Sequence, residues 1–130
     1  MLEKLQIFRM AQGMARHAST RQALIAENVA NADTPGYRAR DIASFRDSYS
    51  AEPALALRAT RPGHLPPGES RAPAWRPFEA ERPGALSPNG NSVSLETELM
   101  MAAEAQDEQQ RALAIYRSAL NVLRTSLGRK

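Results

Sequence analysis

The positions of the prolines constrain this chain more than any other feature of its sequence. All nine prolines lie between Pro35 and Pro88, so the first 34 residues and the last 42 contain none. Proline lacks a backbone N–H donor, and its ring clashes with the preceding turn inside a helix. The two ends of the chain can therefore form continuous helices, whereas the middle cannot.

The first segment, residues 1–32, has the apolar periodicity of a long helix. A stripe that includes Leu5, Phe8, Ile25 and Val29 advances in steps of three or four residues, which is the spacing of one helical face. Gln22 is its one polar member. We predict an N-terminal helix about 45–50 Å long at about 1.5 Å per residue.

The last segment, residues 94–130, carries two apolar stripes with steps that alternate between four and three. An average period of 3.5 residues is typical of a coiled coil. Ser94 is the expected N-cap of this helix. The first stripe consists of Leu95, Leu99, Ala102, Gln106, Gln109, Leu113, Tyr116, Leu120, Leu123 and Leu127, and the second stripe of Met101, Ala105, Glu108, Ala112, Ile115, Ala119 and Val122.

Neither helix can bury its own apolar stripe, so each must pair with the other helix, with copies of itself, or with both. We predict a mainly α fold in which two long terminal helices pair as an antiparallel coiled coil. Phe8 is then expected opposite Leu120. For each residue of the predicted seam, packing within the chain is favoured over contact with another subunit. The seam consists of Leu5, Phe8, Ile25, Val29, Leu113, Tyr116, Leu120 and Leu123.

The same pairing predicts a polar layer in the seam. Gln22 would lie near Gln106 or Gln109, and a buried glutamine layer would fix the register of the two helices. The alternative is that these glutamines face solvent or a neighbouring subunit.

The middle segment, residues 33–93, is predicted to be a proline-rich, irregular arm. Its few large apolar residues follow no sustained period, so it buries too little surface to order itself alone. Asn89-Gly90 is a hairpin turn signal, and short strands are expected on each side of it. We expect this arm to become ordered mainly against neighbours, on contact during assembly.

The most informative string runs from Asn28 to Tyr37 and reads Asn-Val-Ala-Asn-Ala-Asp-Thr-Pro-Gly-Tyr. A residue that precedes proline is driven out of the helical region, and Pro-Gly suits the centre of a type II turn. The first helix should therefore end near residues 31–33. The residues singled out in this motif are Asn28, Asn31, Thr34, Pro35, Gly36 and Tyr37.

The whole string resembles the N-terminal signature of the bacterial flagellar axial proteins, the family of rod, hook and hook-associated subunits. The strings Arg38–Ile42, Ser87–Val93 and Leu95–Glu98 extend the resemblance to the shortest rod proteins. Two departures concern local contacts: Ser94 stands where the family usually has Asp, and Leu99 where it often has Met.

The resemblance implies a structural subunit of the proximal flagellar rod rather than an enzyme, with no cofactor, metal, nucleic acid or small-molecule substrate. Its terminal helices would build the tube of the drive shaft. The implied partners are copies of the chain, other rod proteins, the MS-ring, the adaptor FliE and the export apparatus. The implied location is the flagellar basal body in the periplasmic space, reached by type III secretion without a cleavable signal peptide.

Exported flagellar subunits are also thought to carry a Phe-x-x-x-hydrophobic motif. Phe45 and Tyr49 have this spacing, and the resemblance therefore implies a role for them in export. The alternative is an aromatic pair that packs in the arm.

Composition excludes several other functions. The chain has no cysteine and two histidines, so thiol chemistry is excluded and histidine-dependent catalysis has few available residues. The 17 basic residues are spread over the whole chain, unlike the clustered charge of nucleic-acid binders. Two alternatives stay open: a peripheral membrane module, because the first helix carries Lys4, Arg9, Arg16 and Arg21, and a coiled-coil binding module.

Overall fold

The architecture is two long helices joined by an arm with short elements of its own. The computed structural model describes residues 2–50, 75–82 and 86–128, and it does not describe the side chains of residues 2–5 and 50. The side chain of the predicted seam residue Leu5 and residues 51–74 and 83–85 of the predicted arm lie outside this description. In chain order, the elements are α1 (Leu2–Ala30), β1 (Arg40–Asp41), α2 (Phe45–Ser50), β2 (Phe78–Glu79) and α3 (Leu95–Ser126).

Both ends of α3 have local causes in the sequence. The hydroxyl of Ser94 accepts a hydrogen bond from the backbone N–H of Thr97 at 3.5 Å, so the predicted N-cap is confirmed. Glu96 and Glu98 lie in the first turn and Arg124 in the last, which complements the helix dipole. Gly128 follows the helix with a φ of 69°, the left-handed conformation that commonly ends helices.

The predicted turn after α1 is also present. The carbonyl of Thr34 accepts a hydrogen bond from the backbone N–H of Tyr37 at 3.3 Å, and Gly36 has a φ of 72°. Glycine adopts this conformation without a steric cost, whereas other residues do not. The chain therefore reverses direction at Pro35-Gly36, and β1 returns alongside the end of α1.

The two long helices pack against each other in opposite directions. The rings of Phe8 and Tyr116 meet edge to face with centroids 5.2 Å apart. Near the other end, Asn28 donates a hydrogen bond to Glu98. Phe8 thus meets Tyr116, which lies one helical turn before Leu120, the residue expected opposite it.

The face of α3 that meets α1 is the second apolar stripe. Ala105 and Ala112 are 0% and 1% exposed, whereas Leu113 and Tyr116 of the predicted seam are 43% and 41% exposed. Alanines at a contact let two helices approach closely, and the larger residues of the first stripe then lie at the rim. On α1, the buried apolar residues are Ala11, Ala18, Leu24 and Ile25, and Val29 is 40% exposed.

Two short strands are present, although not beside Asn89-Gly90. β1 pairs antiparallel with β2, and Arg40 lies opposite Glu79. Asn89-Gly90 instead occupies a tight loop, in which the carbonyl of Ser87 accepts a hydrogen bond from the N–H of Gly90 at 2.8 Å. The predicted position of the strands was wrong because Asn91 and its neighbours bond to the end of α1.

None of the helices in the described residues is both long and apolar enough to cross a membrane.

The alanine seam predicts a specific sensitivity to side-chain size. Ala105→Leu should lower the free energy of unfolding by about 1–3 kcal/mol, because a larger side chain at a closely packed contact forces the helices apart. Ala103→Leu is the matched control, because Ala103 is exposed on the same helix and alanine and leucine have similar helix propensities. Denaturant unfolding followed by circular dichroism measures both. Equal stability of the two variants would contradict the observed seam.

Candidate assembly site: the joint between the two sequence motifs

The side chain of Asn28 organises the end of α1. It is 0% exposed. Its Oδ1 accepts hydrogen bonds from the backbone N–H of Arg40 at 2.9 Å and from the Tyr37 hydroxyl at 3.2 Å. Its Nδ2 donates to the backbone carbonyl of Arg40 at 2.8 Å and to Oε2 of Glu98 at 3.0 Å. One amide therefore connects α1, the turn, β1 and the first turn of α3.

The side chain of Asn91 connects the second motif to the end of α1, in the same way as the side chain of Asn28 connects the first motif to β1 and α3. Its buried Nδ2 donates to the carbonyls of Asn31 at 2.9 Å and Thr34 at 2.8 Å, and its Oδ1 accepts from the N–H of Val93 at 2.8 Å. Carbonyls at the end of a helix lack partners within the helix. Asn91 supplies a partner from a segment about sixty residues away along the chain.

Two glycines bring the motifs into backbone contact. The N–H of Gly36 donates to the carbonyl of Asn89 at 3.0 Å. A Cβ atom on Gly90 would lie 3.6 Å from the Cα of Gly36, and the φ of Gly90 is 80°. A little further on, the N–H of Ser92 donates to the carbonyl of Tyr37 at 3.1 Å. The two motifs thus form one unit, which we call the joint and define as residues 28–42 and 87–94.

A buried charged cluster lies beside the joint. Glu98 is 0% exposed, and its Oε1 lies 3.2 Å from Nη2 of Arg82. Arg82 also lies 3.5 Å from Asp41, and Asp41 is 3.5 Å from Nε of Arg21. Two carboxylates and two guanidinium groups thus balance each other, as buried charges require. Because Arg82 belongs to the arm, this cluster also fixes the arm to the helix pair.

His17 forms a second anchor for the arm. This buried imidazole donates from Nε2 to the carbonyl of Ala43 at 2.7 Å. Its ring lies between Trp75 and Phe45, with centroid distances of 5.0 and 5.8 Å. A Cβ on Gly13 would lie 3.2 Å from the Phe45 ring, so the absence of a side chain there gives Phe45 room. A glycine that weakens α1 locally therefore has a packing role.

The predicted export motif forms an aromatic pair on α2. The rings of Phe45 and Tyr49 have centroids 5.5 Å apart. Phe45 is half-buried against α1, whereas Tyr49 is exposed. The pair therefore packs as the alternative reading described, and its role in export stays a prediction.

The three glutamines of the predicted register layer occupy different environments. Gln22 and Gln109 are half-buried, and Gln106 is exposed. The structure shows no hydrogen bond between Gln22 and either of the other two within the residues it describes, so the layer stays a prediction. Charged pairs connect the helices in this region, because Arg21 lies 3.7 Å from Glu104 and 3.8 Å from Glu108.

Burial raises the pKa of Tyr37 above its ordinary value of 10.0, and the negative charges of Glu27 and Glu98 raise it further. Arg40 acts in the opposite direction. The neutral phenol is therefore the form that suits the joint, where its O–H donates a hydrogen bond to Oδ1 of Asn28.

Sequence reasoning identified the first motif but missed four partners of the site: His17, Arg82, Asn91 and Glu98. Asn91 had a signal, since it lies in the second motif string. Glu98 also had one, since it ends the string Leu95–Glu98. His17 and Arg82 lie in none of the motif strings, and no other signal marked them.

The arrangement holds together segments that lie far apart along the chain. The amides of Asn28 and Asn91 and the charged cluster have partners within the site, whereas the buried indole N–H of Trp75 has no hydrogen-bond partner among the described residues. No group of three or more His, Asp or Glu side chains among those residues is placed to hold a metal ion. The fold and the joint define a structural subunit: a helix pair to which the described parts of the arm, residues 33–50, 75–82 and 86–93, are attached.

Comparison with known proteins identifies the family. The family model described as "Flagella basal body rod protein" matches residues 8–38. FlgB of Agrobacterium fabrum (strain C58) is 32% identical over 107 residues, which cover 79% of this chain and 78% of that protein. FlgB of Escherichia coli (strain K12) is 31% identical over 137 residues, covering 96% and 99%. FlgB of Cereibacter sphaeroides (strain ATCC 17029) is 35% identical over 109 residues, covering 83% of each.

The chain therefore belongs to the FlgB family of flagellar basal body rod proteins. The members of this family are structural subunits and not enzymes. The resemblance found in the sequence is confirmed.

The joint predicts unequal roles for the two asparagines of the first motif. Asn28→Ala should lower the free energy of unfolding by about 2–4 kcal/mol, because it removes the hydrogen bonds to the backbone of Arg40 and to Oε2 of the buried Glu98. Asn31→Ala is the matched control and should cost less than about 1 kcal/mol, because the side chain of Asn31 bonds only at the exposed surface, to Glu27 and Thr34, and its backbone bond to Asn91 is kept. Denaturant unfolding of both variants checks this, and an equal loss would argue against the role assigned to Asn28.

The raised pKa of Tyr37 predicts a loss of stability in alkali. The stability that the neutral phenol of Tyr37 contributes to the folded state is fully present below the unfolded-state pKa of about 10. It is lost as the pH rises above that value, because the unfolded chain then releases the phenolic proton more readily than the folded chain. Tyr37→Phe should flatten the fall in unfolding free energy between pH 9 and 11, values chosen about one unit either side of that pKa. Tyr49→Phe, at an exposed position, should leave the slope unchanged, and the same slope in all three proteins would refute the prediction.

Proposed function

We propose that this chain polymerises through α1 and α3 into the tube of the proximal rod. One observation carries the proposal: α3 has two apolar stripes, and the apolar residues that it buries fully, Ala105 and Ala112, both belong to the second. Leu95, Leu99, Leu113 and Tyr116 of the first stripe are exposed. Large apolar side chains exposed along one helix face mark a contact surface.

The division of α3 into two faces supports this role. The alanine seam holds the helix pair together, so the large side chains of the first stripe stay available for neighbouring subunits. Contacts between unlike surfaces that do not close generate helical assemblies. A rod subunit needs such a surface on the element that lines its tube.

The helix pair is proposed to supercoil as an antiparallel coiled coil. The 3.5-residue period of both α3 stripes and the opposed directions of α1 and α3 support this, because that period favours left-handed supercoiling. We also propose that the chain divides into an N-terminal helix (residues 1–32), an arm (residues 33–93) and a C-terminal helix (residues 94–130). The joint lies where these three parts meet.

The family assigns the chain to the flagellar basal body, where it assembles with other components of that structure. We propose that its neighbours are copies of itself, other rod proteins, the MS-ring and the adaptor FliE. We also propose that the export apparatus delivers the chain to the periplasmic space. The support is the resemblance of both motifs to the shortest rod proteins.

A peripheral membrane role is less well supported. The apolar face of α1 includes Ala11, Ala18, Leu24 and Ile25, and these residues are buried within the fold. Insertion of α1 into a lipid surface would require the helix pair to separate. The structure provides no observation that favours a free-standing coiled-coil module over a rod subunit.

The proposal is tested in a bacterium that carries this chain as its sole rod subunit of this type. Leu113→Glu should abolish swimming and rod formation, because it places a charge on the exposed first stripe where a neighbour would pack. Ala114→Glu should preserve both, because Ala114 is also exposed but lies on another face. Swimming assays and electron microscopy of isolated basal bodies give the readout, and circular dichroism confirms that both variants fold. Complete rods built from Leu113→Glu chains would refute the proposed seam.

A further inference from the structure

The exposed stripe of α3 has a second property, its symmetry. Leu99 and Leu113 lie seven residues before and after Gln106, and Leu95 and Arg117 lie eleven residues before and after it. All five positions are exposed. We call this strip, from Leu95 to Arg117, the outer face. An antiparallel pairing of two outer faces with Gln106 at the centre would place Leu99 of each copy against Leu113 of the other.

The surface beside Leu113 has room for such a contact. A groove of about 430 Å³ lies between α1 and α3, with a floor that includes Ala11, Ala15 and Ala112 and walls that include Phe8, Leu113 and Tyr116. Small side chains on the floor leave space for a large one from outside. Leu99 is 67% exposed, and it is the side chain that the pairing brings to the groove of the second copy.

The charges on α3 favour the antiparallel direction. Residues 94–108 contain five acids and no base; Glu98, Glu104 and Glu108 pair within the chain, whereas Glu96 and Asp107 are exposed. Residues 109–128 contain three arginines and no acid, and all three arginines are exposed. A parallel pairing would set like charges against each other, whereas an antiparallel pairing sets the acidic half of each helix against the basic half of the other. In the register centred on Gln106, Glu96 comes to lie beside Arg117 of the second copy.

The centre of the outer face is polar. Two Gln106 side chains that meet on a two-fold axis can donate to and accept from each other, since each amide has both kinds of group. A single polar layer among apolar ones specifies the register of paired helices.

We propose that the free chain forms an antiparallel, two-fold dimer through the outer face of α3. A two-fold interface uses the same surface on both copies and closes on itself, so this dimer cannot extend a rod. The dimer would cover the apolar stripe until a rod neighbour displaces the second copy. This last consequence rests on the proposed function of the stripe, whereas the dimer itself does not.

The direction and register are tested by disulfide cross-linking of the full chain, which has no native cysteine. Gln106→Cys should cross-link to itself under mild oxidation, because the pairing brings these two Cα atoms within the roughly 7 Å that a disulfide spans. Leu99→Cys should not cross-link to itself, but it should do so when mixed with Leu113→Cys. Self-linking of Leu99→Cys would reveal a parallel pair, and failure of Gln106→Cys to cross-link would exclude the register; either outcome overturns the proposal.

Sedimentation equilibrium of unlabelled protein measures whether the outer face of α3 is the dimer interface. Leu99→Ser should raise the dimer dissociation constant at least about tenfold, as loss of a central apolar contact commonly does. Met100→Ser is the matched control, because Met100 is 68% exposed and adjacent in sequence but on another face, and it should change nothing. Circular dichroism verifies equal helicity.

Charge reversal provides an independent test of the same interface. Glu96→Arg and Arg117→Glu should each weaken self-association, because each places like charges together. An equal mixture of the two should regain dimerisation, because every contact between them then joins opposite charges. Wild-type protein that stays monomeric up to about 1 mM, a limit that corresponds to about 4 kcal/mol of binding free energy, would overturn the dimer. That outcome would leave the proposed rod function intact, since the swimming assay at Leu113 decides that question.

Discussion

The buried amide of Asn28 is the interaction on which the rest of the fold depends. An amide at this depth is tolerated only when its donors and acceptor all have partners, and Asn28 finds them on three segments. Its bonds to both backbone groups of Arg40 fix β1 against α1. Its bond to Glu98 fixes the first turn of α3. The turn, the strand and the third helix therefore take their positions relative to one side chain of the first helix.

The charged cluster extends this dependence to the arm. Glu98 is buried at the start of α3, and Arg82 supplies the positive charge that makes such burial tolerable. The arm is therefore held by an electrostatic requirement of the helix pair, although its own apolar residues are few. Folding of the helices and attachment of the arm become one event, because neither charge can be buried without the other. A subunit built this way joins its helical and non-helical parts rigidly.

How much of this structure the sequence predicts depends on whether a feature is local. The ends of the helices were predictable because Ser94, Pro35 and Gly36 act on their immediate neighbours. The inward face of α3 was not, because its two stripes have the same period and periodicity cannot rank them. The second stripe faces α1 because its side chains are smaller: Ala105 and Ala112 allow the two helices to approach more closely than leucines would. The bond from Asn91 to the end of α1 joins distant segments, and no local pattern reports it.

The choice of an alanine seam has a consequence for assembly. Apolar side chains that are not used between α1 and α3 must meet water, a second copy or another subunit, and exposure to water is the least favourable of the three. Leu99 and Leu113 are therefore a source of free energy that only association can release. In a rod, that energy holds neighbours together. Outside the rod, the acidic and basic halves of α3 direct the same side chains towards a second copy. The outer face therefore forms the contacts of both the rod and the dimer. A subunit that uses this face in one assembly cannot use it in the other.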